Sequence, residues 1–82
     1  MDKIVCYIDS MSMKQKVLTP DNKEQNIDSA NFAETMVGMC NAYGVNKIHL
    51  FGNKHFINGI MEEISTKEVE KYSTKNIEFE VN

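Results

Sequence analysis

The chain has 82 residues, enough for one small domain and too few for a repeat array or a doubly wound dinucleotide fold. Nine Lys against twelve carboxylates give a net charge of −3. There is no Arg, the preferred bidentate partner of phosphate and guanine, which argues against specific nucleic-acid binding.

The run Ile4-Val5-Cys6-Tyr7-Ile8 is β-branched and aromatic, with apolar residues on both faces, and predicts a central strand. Asp9-Ser10 supplies turn chemistry. Residues 11–18 alternate in part, with Met11, Met13 and Val17 on one face and Ser12, Lys14 and Lys16 on the other. That pattern predicts an edge strand guarded by Lys and joined to the first as a hairpin. Pro20 ends this strand, and residues 19–26 read as loop.

Asp28 or Ser29 is expected to cap a helix that runs through Tyr43. Phe32, Met36, Met39 and Tyr43 form one stripe, and Ala33, Val37 and Cys40 form the next. Together they make a broad apolar face suited to lying on a sheet. Gly44 is the expected C-terminal cap, and Gly38 is read as allowing close approach to the sheet. Residues 46–51 are the third strand, with Ile48 and Leu50 on one face and His49 and Phe51 on the other. Asn53 caps a second helix over 54–64, whose apolar face is Phe56, Ile57, Ile60, Met61 and Ile64. Ser65-Thr66-Lys67-Glu68 has the spacing of a capping box and predicts a redirected helical turn through Tyr72. Residues 76–81 are the last strand, with Ile77, Phe79 and Val81 inward and Glu78 and Glu80 toward water.

The order is β-β-α-β-α-β, a single α/β (α+β-like) domain over 1–82. It predicts a four-stranded mixed sheet ordered second, first, third, fourth, with two main helices and a short third helical turn. If the two helices share a face, Tyr7, His49 and Phe51 lie uncovered on the other, a surface suited to a partner or a second copy.

One ligand site is suggested. In open α/β sheets, ligands bind beyond the carboxyl ends of parallel strands. Asp9 and Ser10 leave the first strand there, and Gly52, Asn53, Lys54 and His55 leave the third. The helix-start N–H groups with Lys54 would hold an anion or nucleotide, and Gly52 would admit it to the backbone. Asp9 and His55 are the one pair suited to acid–base work, but no nucleophile is placed beside them. Cys6 and Cys40 read as reduced core thiols. Two Cys and two His match no zinc spacing, so no metal and no cofactor are predicted.

The element order resembles a shortened ribonuclease H-like topology. That family has three antiparallel strands before its first helix, where two are read here. The resemblance covers most of the chain in element order, not in sequence. It implies carboxylates on the first strand, on the first helix and after the fourth strand. By position Asp9 and Glu34 answer to the first two, and Asn53, which is not a carboxylate, falls at the third. Two-metal hydrolysis needs several carboxylates, so the resemblance does not extend to nuclease activity.

All of the charge imbalance lies in residues 62–82, with six Glu against three Lys. Glu78 and Glu80 are the candidate acidic surface for a basic partner. No stretch approaches the roughly 18 apolar residues of a membrane helix, and the start lacks a signal peptide's long apolar region. Asn, Lys and Ile, all with AT-rich codons, are abundant. The reading is therefore of a cytoplasmic, non-catalytic protein that binds a protein partner and forms a homo-oligomer. An accessory or phage-encoded inhibitor or adaptor fits that description. Specific nucleic acid and membrane are excluded as partners, and a small-ligand binder using Gly52–His55 is the alternative.

Overall fold

The computed structural model describes residues 2–9, 14–28, 32–67 and 77–82. Five strands and two helices follow in the order β1 (Ile4–Ile8), β2 (Lys14–Leu18), β3 (Glu24–Asp28), α1 (Phe32–Tyr43), β4 (Lys47–Gly52), α2 (Lys54–Lys67) and β5 (Glu78–Val81). The sheet runs β3-β2-β1-β4-β5. β1 is antiparallel to β2 and β2 to β3, while β4 lies parallel to both β1 and β5. The domain is a small α+β fold on a mixed sheet.

The sheet thus has one strand more than the sequence predicts. Residues 24–26, read as loop, open β3, and β2 is internal rather than an edge. A tight turn makes this hairpin. The Thr19 N–H donates to the Lys23 carbonyl at 2.9 Å, and the Asn22 N–H donates to the Thr19 carbonyl at 2.9 Å. The fully buried Thr19 hydroxyl donates to the Lys23 carbonyl at 3.1 Å and also contacts the Asp21 carboxylate. Asn22 takes the left-handed backbone (φ 66°), which Asn tolerates well. Once the turn closes, β3 pairs with β2 from Lys14↔Asp28 to Leu18↔Glu24, and Ile27 enters the core.

β3 runs parallel to β1, so the crossovers from β3 to β4 and from β4 to β5 travel the same way across the sheet. Right-handed connections then place both helices on one face. They touch each other there and bury Ile4, Cys6, Ile8, Val17, Ile48 and Leu50 against Phe32, Met36, Cys40, Ile57 and Ile64. Each such aliphatic side chain contributes about 1.5–3 kcal/mol on burial. Among the described residues the other face carries no helix.

α1 starts at Phe32, so Asp28 is a strand residue and not its cap; Ser29 lies outside the described residues. Gly44 (φ 66°) ends α1, and the Val45 N–H donates to the Cys40 carbonyl at 3.0 Å, a Schellman closure. Gly38 is exposed and touches nothing that a Cβ would meet, so close approach to the sheet is not its role. α2 continues through the Ser65–Lys67 segment without the predicted redirection. Residues 68–72 of the predicted third helical turn lie outside the described residues. Phe56, predicted inward, is 44% exposed.

Candidate functional site

Two regions gather the residues singled out from sequence. The first is the top of the sheet, where β1 and β4 end together. Here the Asn53 N–H donates to the Ile8 carbonyl at 3.0 Å. Gly52 has φ 119°, and a Cβ there would run into that same carbonyl. Backbone packing by itself therefore requires a glycine here. The Asn53 side-chain oxygen accepts the Phe56 N–H at 3.2 Å, the N-cap bond of α2. The Asp9 N–H donates to the side-chain oxygen of Gln15 at 2.9 Å, and Gln15 is buried.

Beside this turn lies a cleft of about 400 Å³, lined by Ile8, Asp9, Gln15, His55, Phe56, Gly59, Ile60 and Glu63. Asp9 and His55 both line it, but Lys54 does not. The cleft's carboxylates are Asp9 and Glu63, a chemistry opposite to that of the anion site expected around Lys54. Ser10 lies outside the described residues. Among the described residues no group of three His, Cys, Asp or Glu is placed to hold a metal ion.

The second region is the helix-free face of the sheet. Tyr7 and Phe51 are partners in the parallel β1–β4 register. Their ring centroids are 5.2 Å apart with planes tilted by 54°, within the range of favourable aromatic pairing. Tyr7 is 43% exposed and Phe51 37%. His49 adjoins Phe51, with centroids 6.2 Å apart. Val5, Leu18, Lys16 and Glu24 complete a shallow groove of about 180 Å³ around the aromatic pair. Lys16 is the β2 partner of Tyr7.

Glu78 and Glu80 sit on this same face, as partners of Lys47 and His49 in the β4–β5 register. They are not a bare acidic surface. Lys3 Nζ lies 3.6 Å from Glu80 Oε1, and Lys47 Nζ lies 3.9 Å from Glu78 Oε2. His49 Nδ1 and Glu80 Oε1 are both buried from solvent, 4.0 Å apart, and neither makes a hydrogen bond.

Sequence alternation identifies Tyr7, His49 and Phe51. It places Lys14 and Lys16 on one side of the second strand but reads them as edge guards, because the third strand is not seen. Leu18 continues that alternation and was the available signal for a further apolar residue on the face. Gln15 and Glu63 in the cleft carry no local signal.

Both cysteines are buried. Burial pushes the Cys6 thiol up to about 12 and raises that of Cys40 as well, which makes both poor nucleophiles. No helix among the described residues is long and apolar enough to cross a membrane. No protein-family model, curated protein or solved structure matches the chain.

Proposed function

We propose that the chain is a non-catalytic binding protein whose working surface is the helix-free face of its sheet. The observation that carries this reading is the pair Tyr7–Phe51, two large rings left partly in water at the centre of a five-stranded sheet. Contiguous apolar surface on a small domain, rimmed by charge, is typical of a contact surface. Aromatic side chains supply much of the binding energy in such surfaces. The top cleft supports a ligand less well. Gly52 and Asn53 are engaged in holding the β4–α2 turn, and Lys54 lies outside the cleft.

The strand order β3-β2-β1-β4-β5 supports a ribonuclease H-like arrangement, since three antiparallel strands now precede the first helix. It does not favour that family's hydrolysis. The position that answers to its third carboxylate is Asn53, and that side chain caps α2.

Replacing both rings tests the proposal. The Tyr7→Ser/Phe51→Ser protein should fold as the parent does by far-UV circular dichroism. It should also lose macromolecular association at least tenfold when native mass spectra of the two purified proteins are compared. Association that survives both substitutions would remove this face as the working surface.

A further inference from the structure

The cleft at the top of the sheet is ill-suited to an anion, and its own lining points to the opposite ligand. It shares no lining residue with the aromatic groove. Its volume, about 400 Å³, lies in the range of small-molecule sites. It opens beyond the carboxyl ends of the parallel pair β1 and β4, where open α/β sheets bind ligands.

α2 supplies one long wall. His55, Phe56, Gly59, Ile60 and Glu63 fall at i, i+1, i+4, i+5 and i+8, a single stripe of the helix. Ile8 and the half-buried Ile60 are apolar there, and the Phe56 ring is largely open to water. His55 packs edge-on against that ring, with centroids 5.5 Å apart and planes at 88°, and braces it. Gly59 leaves the middle of the stripe bare, since a Cβ there would meet nothing within 4 Å. A mid-helix glycine costs stability relative to Ala, and packing does not require this one.

The charges stand at the two ends. Asp9 follows Ile8, whose carbonyl accepts the Asn53 N–H, so Asp9 lies beside the start of α2. Its own N–H donates to the buried Gln15 side chain, which holds it there. Glu63 stands two and a half turns past Lys54, roughly 13 Å along the helix. Among the described residues no Lys lines the cleft, and its carboxylates and imidazole do not converge as metal ligands do. The cleft is thus an apolar trough with a carboxylate toward either end. A carboxylate has about four acceptor sites, so each can take an ammonium beside the contacts it already makes.

We propose that this cleft binds a short alkyl diamine. One ammonium sits at Asp9 and the other at Glu63, with the methylene chain over Gly59, between Ile8, Phe56 and Ile60. A chain of about four methylenes and two charge-assisted hydrogen bonds of about 2.8 Å cover the distance.

Titration of the isotope-labelled protein with putrescine, followed by amide shifts, tests the proposal. Binding should saturate with a dissociation constant below about 1 mM, and shifts should concentrate at Asp9, Gln15 and the α2 stripe. n-Butylamine carries one ammonium, as a lysine side chain of another protein would, and butanediol carries none. Each should bind at least tenfold more weakly. Gly59→Leu fills the trough and should weaken putrescine at least tenfold, while the thermal melt stays at or above that of the parent. Glu63→Gln, at an exposed position, should weaken it to a similar degree, and carries the test if Gly59→Leu does not fold. No saturation by about 10 mM putrescine overturns the inference. So does equal binding of n-butylamine, displacement by an equal concentration of magnesium chloride, or binding that survives both folded variants. None of these results bears on the sheet-face reading, because neither variant alters Tyr7 or Phe51.

Discussion

Three residues whose roles differ sharply show how local geometry decides the effect of a substitution. Gly38 lies exposed within α1, with open space where a Cβ would stand. Gly38→Ala should therefore stabilise the protein by about 0.5–1 kcal/mol, through the helix propensity gained. A thermal melt should show Tm rising by several degrees; a fall would mean that the glycine has a packing role. Gly52 is the reverse case. Its φ of 119° and its contact with the Ile8 carbonyl leave no place for a side chain. Gly52→Ala should cost of order 2–3 kcal/mol, read as a lower urea midpoint. Cys6 adds a pH dependence. Its thiol is held protonated up to about 12 in the fold, whereas the ordinary value is 9.0. The unfolded chain alone loses this proton between those values. The stabilisation is thus complete below pH 9 and declines above it, by about 1.4 kcal/mol per pH unit. Cys6→Ala should flatten the decline in stability between pH 9 and 10; an unchanged slope would assign that decline to other groups.

Among the elements, β3 is the one that sequence patterning does not reveal. Glu24, Gln25, Asn26 and Asp28 are polar and exposed, and Ile27 alone enters the core. Such a segment has neither alternation nor β propensity. Its pairing is imposed by the Thr19–Lys23 turn and by the register with β2. The hairpin should therefore depend on those two supports. Ile27→Ala should cost about 2 kcal/mol or more by denaturant titration, with amide exchange of β3 faster than that of β1 and β4. Protection equal to that of the central strands would contradict this. The strongly periodic elements were legible from sequence: β1, β4, α2 and its Asn53 cap, and the outward set Tyr7, His49 and Phe51. Each carries either a long apolar period or clear cap chemistry. The sharing of one face by the helices was not legible, because it follows from the direction of the crossover out of β3. The role of Gly52 was legible only as a need for glycine. Its cause is a carbonyl from β1, distant in sequence.

For the whole molecule, one asymmetry governs the account. Among the described residues, two helices cover one side of a five-stranded sheet and leave the other side with paired rings among charges of both signs. The acidic C-terminal quarter, conspicuous in the sequence, contributes Glu78 and Glu80 to that side, where Lys47 and Lys3 stand next to them. Those two charges are therefore part of a mixed surface. The claim that this side is where the protein works is tested most directly by photo-cross-linking from a benzophenone amino acid. It is placed in turn at position 51, on the open face, and at position 54, at the start of α2. The account predicts macromolecular adducts from position 51, either a second copy or another partner, and none from position 54. Adducts from position 54 with none from position 51 would contradict it and move the working surface to the top of the sheet.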